Sequence, residues 1–306
     1  MTRNAIRTAV WQCEPRPLDV PGNLRRLDEA CAAAVSRGAQ VLVTPEMFTS
    51  GYAITRAGAE RLGRDAGLVE AAVAEIARQR RIAIAYGHPE PVSPGPAPDG
   101  RAYNAATLTD ADGTVQGRHR KVHLYGDLDR DQFAPGPARP AAFDFDGLRA
   151  GLLICYDVEF PEAVRSLAAD GARLVLVPTA NMVGCEQVQD LLVRARACEN
   201  GCGVVYANYC GADDVFEYNG LSLICGPRGE VLAQASGQGE ELLIADVPLE
   251  PAGTYLTDRR PELYGCQPRI TEPLRLPGDH DPRLRLLGDH DHVHFAANVA
   301  PRSKRR

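Results

Sequence analysis

The strongest constraint on the fold is a β-α-β opening followed by many more strands than helices. Ile6 to Gln12 is a short apolar run, bounded by Pro15 and Pro17, and reads as a buried strand. After Asn23, residues Leu24, Leu27, Ala30, Cys31, Ala34 and Val35 recur at helical spacing, and Gly38 supplies the stop. Val41 to Thr44 reads as a second buried strand, and a further helix over about Gly67 to Arg80 leads to a strand over Ile82 to Tyr86. Pro89 to Gly100, PEPVSPGPAPDG, reads as a loop. Hairpins then appear: a strand to Thr109 turns at Asp112-Gly113, and Asp146-Gly147 turns into the apolar run Leu148 to Ile154. The helix FPEAVRSLAADGA, the strand Leu174 to Pro178, a helix over about Glu186 to Asn200 and the strand VVYAN follow. Ser222 to Cys225, the turn GPRG, VLAQA and ELLIADV complete about a dozen strands against four substantial helices. The hairpins depart from a purely parallel doubly wound sheet, and many strands with few helices suit an α/β protein of two packed sheets covered by helices.

Texture changes only near the end. Residues 1–266 show no composition break, whereas 267–306 are rich in Pro, Arg, Asp and His, lack periodicity and carry a near-repeat, LPGDHD and LLGDHD. The expected organisation is one domain over 1–266 and a partly ordered or flexible tail over 267–306. A net charge of −6 leaves no basic footprint for nucleic acid. No apolar run approaches the roughly 20 residues that span a bilayer. MTRNAIRTAVWQ lacks the pattern of a signal peptide. Nine cysteines, an odd number, suggest free thiols and a cytoplasmic protein.

Three strand ends carry the chemistry. Cys155 ends an apolar strand and precedes Pro161, a residue favoured in the first turn of a helix. A thiol at such an elbow meets helix N–H groups and a positive dipole end, which favour thiolate. A lone cysteine more often ends as a small buried hydrophobe. Glu46 lies just past the strand VLVTP, on the edge where α/β proteins bind ligands, and taken alone reads equally as a capping or solvated acid. Lys121 ends the strand Thr114 to His119 in a basic run with Arg118 and Arg120, whose simplest reading is a solvated face. Together the three offer a base, an oxyanion donor and a nucleophile.

At these residues the chain resembles the nitrilase superfamily of carbon–nitrogen hydrolases, through TPEMFTSGY, RKVHLYGD and LLICYDVEFPE in that order. PTANM (Pro178 to Met182), RARACENGCGVVYANY (Arg194 to Tyr209) and Gly226-Pro227-Arg228-Gly229 extend the resemblance over about residues 5 to 265. It implies a four-layer α-β-β-α sandwich that pairs into a homodimer or higher homo-oligomer. It implies that Glu46 deprotonates Cys155 and that Lys121, with the backbone N–H of Tyr156, holds the oxyanion. An acyl-thioester forms, ammonia leaves, and water activated by Glu46 releases the acid, with neither metal nor organic cofactor. The family usually carries a second glutamate between lysine and cysteine; counting back from Phe133-Ala134-Pro135-Gly136 places Asp129 there. Asn181, in PTANM, is expected among the groups that position the substrate.

CYDVEFPE places Glu159 where many ω-amidase-like members carry arginine. An arginine there would pair a substrate carboxylate. The reversed charge disfavours a dicarboxylic monoamide and favours an aminated or neutral amide such as 5-aminopentanamide, unless Glu159 merely caps the helix beginning near Phe160. The motifs most resemble the branch holding aminopentanamidase and R-stereoselective amidases. A nitrilase would use the same three residues, and so would an N-carbamoyl amine amidohydrolase. Outside these enzymes stand an idle scaffold and a metal-binding tail, where His280, His290, His292 and His294 lie among Asp279, Asp281, Asp289 and Asp291. Cys198-x-x-x-Cys202 has no second pair to complete a zinc site.

Overall fold

A computed structural model describes residues 4–91, 100–250, 258 and 260. The expected tail, 267–306, with its histidines and its near-repeat, lies outside the described residues, as does Cys266.

Two sheets stack face to face. The first has the order β15-β1-β2-β3-β4-β5, formed by Glu241–Pro248, Ala5–Gln12, Val41–Val43, Ala83–Glu90, Ala102–Thr109 and Val115–Arg120. A two-residue strand β6, Phe133–Ala134, also pairs with β4. The second has the order β14-β13-β10-β9-β8-β7, formed by Val231–Gln234, Leu223–Cys225, Gly203–Ala207, Leu174–Pro178, Leu148–Leu152 and Phe143–Phe145. β11 (Cys210–Ala212) and β12 (Glu217–Asn219) form a separate small hairpin.

The layers follow from the period-2 pattern of the strands. In β1, Ile6 and Val10 face the other sheet and pack with Val41, Val43, Ala150, Leu152, Leu174, Leu176 and Val205. Ala9 and Trp11 point the opposite way, onto Leu27, Cys31 and Ala34 of α1 (Val20–Ser36) and Val73 and Ala77 of α3 (Ala66–Arg80). On the far side of the second sheet, Val175, Val177, Val204 and Tyr206 meet Val164 and Leu167 of α5 (Pro161–Ala169) and Val193 and Ala197 of α6 (Val193–Asn200). The molecule is therefore the four-layer α-β-β-α sandwich, in which central strands such as β2, β9 and β10 bury both faces.

Several boundaries differ from expectation. α1 begins at Val20 rather than after Asn23, because Asp19 accepts from Gly22 N at 3.0 Å and Pro21 is tolerated in the first turn. A helix over Thr55–Arg64 (α2) had no clear signal; its buried residues are only Ala59, Leu62 and Gly63. β3 runs on to Glu90, into the expected loop, because His88, Pro89 and Glu90 pair with Ala105, Asn104 and Tyr103. The helix expected from Glu186 opens with a π-helical turn, Val188–Leu192. The turn at Asp146-Gly147 is as expected, with φ of 48° and 76°. No helix among the described residues is long and apolar enough to cross a membrane.

Candidate active site

Parallel strands of both sheets deliver their C-terminal ends to one edge, and the candidate residues lie just beyond them. Glu46 follows β2, Lys121 follows β5 and Cys155 follows β8, three residues after its last position. The Glu46 loop can lie against β3 only because position 87 is glycine: a Cβ there would stand 2.2 Å from Met47 N. Glu46 N donates to Thr179 O at 3.1 Å, which stitches this loop to the end of β9 in the other sheet.

Glu46, Lys121 and Asp129 are fully buried. Lys121 Nζ donates to Glu46 Oε1 at 2.8 Å and to Asp129 Oδ2 at 2.6 Å, and stands 5.6 Å from the centre of the Tyr52 ring. Asp129 lies on α4, Gly126–Gln132, and its Oδ2 also accepts from Tyr125 N at 2.9 Å. The shorter acid reaches the lysine. Asn104, which the sequence did not single out, donates from Nδ2 to Glu46 Oε1 at 2.6 Å. Its carbonyl accepts from Lys121 N at 2.8 Å, so one residue of β4 orients both partners of the ion pair. Glu46 Oε2 and Asp129 Oδ1 have no protein partner among the described residues.

Burial pushes the Glu46 carboxyl above its usual range, and Asp129 adds to this, although Lys121 pulls the other way. For Lys121, burial opposes the charge, but Asp129 and Glu46 outweigh it and hold the ammonium well above the usual lysine range. Two carboxyls around one cation hold one negative charge too many, and a raised Glu46 is the physical response.

Cys155 has φ +44°, in the left-handed region, and opens a short 3-10 helix, Cys155–Glu159, ahead of α5. This is the strand-to-helix elbow expected from sequence, held in a strained conformation of the kind that clusters at functional sites. The thiol lies beside Thr179 and Ala180. Burial, then the Glu46 charge, push the thiol above its ordinary value, against the dipole bias to thiolate, and Lys121 only partly offsets them. Arg196, a buried residue of α6, pins the elbow by donating to Val158 O at 3.1 Å and Glu159 O at 2.6 Å.

The remaining expected residues divide. Tyr156 sits on the elbow with its ring edge-on to Tyr125 (5.2 Å) and Phe160 (5.0 Å). Glu159 does not cap α5, since the cap position is Phe160 and no side chain bonds there. Its carboxyl is raised by burial and feels Lys121 and Arg196, and it in turn acts on Tyr125, Cys185 and Tyr206. Asn181 follows β9 and is buried. Its Nδ2 donates to Cys185 O and to Gln189 Oε1, each at 3.0 Å, within a buried web that includes Asn208 and Asn219. Those donors are not free for a substrate. Of the other cysteines, Cys13, Cys31, Cys202, Cys210 and Cys225 are buried, as a structural role requires.

A family model described as carbon–nitrogen hydrolase matches residues 7–255 of the 306. The chain belongs to that family. This carbon–nitrogen hydrolase is similar to a protein of Pseudomonas protegens named as a hydrolase in the pqqF 5′ region, 46% identical over 85% of this chain and 90% of that protein. It is 34% identical to an (R)-stereoselective amidase of Pseudomonas sp., over 86% and 94% of the two chains. Among solved structures, an amidase from Nesterenkonia sp. superposes with a TM-score of 0.77 at 38% identity, covering 87% of this chain and 97% of that one. That amidase is described as a member of the nitrilase superfamily. One of its mutants shows covalent addition of the acetamide moiety of fluoroacetamide at the active site cysteine.

Proposed function

We propose that this carbon–nitrogen hydrolase cleaves small aliphatic amides to carboxylic acid and ammonia through an acyl-enzyme on Cys155. The observation that carries the reading is the Glu46–Lys121 pair, 2.8 Å apart and fully buried, close enough to the Cys155 thiol for both charges to act on it. Glu46 takes the thiol proton as sulfur attacks the amide carbon. Lys121 Nζ and the Tyr156 N–H stabilise the resulting oxyanion. Glu46 returns the proton to the departing nitrogen, ammonia leaves and a thioester remains. Water then gives a proton to Glu46 and attacks the thioester carbon; the C–S bond breaks and the thiol is restored. Asp129 holds Lys121 in place and keeps it charged. Every step is proton transfer and acyl transfer, which these side chains supply themselves.

The substrate is a neutral or aminated amide, with 5-aminopentanamide as the reference compound. Glu159 supports this, because its carboxyl lies at the elbow near Lys121 without capping the helix, where it repels an anionic substrate and attracts a cationic one. The enzyme acts in the cytoplasm as a homodimer or larger homo-oligomer and needs no nucleic acid or membrane partner.

Ammonia release from 5-aminopentanamide, a neutral aliphatic amide, a succinate monoamide and the matching nitriles tests the reading, with Cys155→Ala as control. The expected result is turnover of the aminated and neutral amides that disappears in the variant. Fastest turnover of the succinate monoamide would contradict the role of Glu159, and turnover of nitriles alone would make the enzyme a nitrilase.

A further inference from the structure

We infer that Asp157 is a positioning residue that sets Lys121 against Cys155 by tying their two loops to one carboxylate; this rests on the reading of those residues given above. Asp157 is the third residue of the elbow and is fully buried. Its Oδ1 accepts from Val122 N at 3.3 Å, His123 N at 2.9 Å and His123 Nδ1 at 2.8 Å. Its Oδ2 accepts from His119 Nε2 at 2.8 Å and Ile154 N at 3.3 Å. An ionised carboxylate only accepts, so each imidazole carries its hydrogen on the nitrogen that faces Asp157.

The positions of these donors give the cluster its meaning. Val122 follows Lys121 and Ile154 precedes Cys155, so the carboxylate grips the backbone next to the cation and next to the nucleophile. β5 lies at the edge of the first sheet, while the elbow extends from the second, so the grip crosses between sheets where strand pairing cannot. His123 also stacks on Phe160 with ring centres 3.8 Å apart and planes 13° from parallel, and Phe160 meets the Tyr156 ring edge-on. The same cluster therefore fixes the residue whose N–H faces the oxyanion. Five donors on one buried carboxylate specify a distance and an orientation between two loops.

The test compares Asp157→Asn, His119→Ala, His119→Gln, His123→Ala and His123→Asn in the full chain. Glutamine keeps an N–H where His119 has Nε2, and asparagine keeps one where His123 has Nδ1. Readouts are kcat and KM for the best amide, the melting temperature, and the iodoacetamide alkylation rate of Cys155 followed by peptide mass. A displacement of the order of 1 Å between reacting groups costs on the order of 100-fold in rate, so Asp157→Asn is expected to lose that much kcat with KM little changed. The two alanine variants lose kcat in the same manner, and the amide-bearing variants recover it. Wild-type kcat in a folded Asp157→Asn overturns the inference, and so do alanine losses that the amide-bearing variants fail to restore. If Asp157→Asn does not fold, the histidine pairs decide by the same criterion. If the wild type releases no ammonia from any amide, the function proposed above fails, and alkylation still decides here. Slower alkylation in the alanine variants, recovered in the amide-bearing ones, supports the positioning role, and equal rates throughout overturn it.

Discussion

Two buried carboxyls, one beyond a strand end of each sheet, have opposite characters. Asp157 accepts five hydrogen bonds, and although burial works against its charge, the donors from His119 and His123 hold it well below the ordinary aspartate range. Glu46 has one oxygen shared between Lys121 and Asn104 and one with no protein partner among the described residues, and burial holds it above the ordinary glutamate range. A fully satisfied carboxylate is a fixed strut. A half-satisfied one is a stronger base that can take and return a proton. Pairs of titratable groups pushed apart by their surroundings separate geometry-holding roles from proton-carrying ones.

The sharpest way to break this comparison is to remove the proton carrier. Glu46→Gln keeps the shape and the bond from Lys121, and kcat is expected to fall about 10²- to 10⁴-fold while the fold persists, measured by ammonia release and circular dichroism. A variant within a few-fold of wild type would mean that another group takes the thiol proton.

Lys121→Met acts next most strongly, and on stability as well as rate. It leaves Glu46 and Asp129 facing each other without a cation, which is expected to cost about 3–5 kcal/mol in urea unfolding at neutral pH. Adding Asp129→Asn to it should restore part of that loss, since one of the two stranded charges is gone.

The opposite pKa directions predict opposite pH slopes. The contribution of Asp157 is complete above the ordinary aspartate value of about 3.9 and is lost as pH falls towards its lower folded value. The contribution of Glu46 is present below the ordinary glutamate value of about 4.3 and is lost as pH rises through its higher folded value. Thermal melts between about pH 3 and pH 7 should therefore show the stability gap between wild type and Asp157→Asn widening from acid upward. The gap to Glu46→Gln should move the other way. Two gaps of the same sign would show that the carboxyls do not differ as described.

The smallest expected effect is on selectivity. Glu159→Arg reverses one partly buried charge near the elbow and should shift kcat/KM from 5-aminopentanamide towards the succinate monoamide by about 10-fold, equivalent to 1.4 kcal/mol. An unchanged ratio would remove Glu159 from substrate recognition.

The sequence carried most of this site because strand ends are legible: an apolar run that stops at an acid, a cation or a thiol places that group at a sheet edge. Glu46, Lys121 and Cys155 were readable in this way, Asp129 only through the family resemblance, and the positive φ of Cys155 fits the strand-to-helix elbow read from Pro161. Asn104 and Asp157 were not, because an asparagine inside a strand and an aspartate within a helix turn show no partners until the sheets pack. Nor were the partners of the Asn181 amide, Gln189 and Cys185, because no local pattern reveals that web. Dipole arguments also leave out desolvation, which pushes the Cys155 thiol the other way. α2 was missed because its apolar stripe is short and interrupted by glycines.

The central claim, that Cys155 is acylated while Glu46 carries the proton, is tested most directly by rapid-quench mass spectrometry with 5-aminopentanamide. The account predicts an acyl adduct on the Cys155 peptide of the wild type, formed with a burst of ammonia, far slower in Glu46→Gln and absent in Cys155→Ala. Ammonia release from Cys155→Ala at the wild-type rate, or an adduct forming as fast in Glu46→Gln, would contradict it.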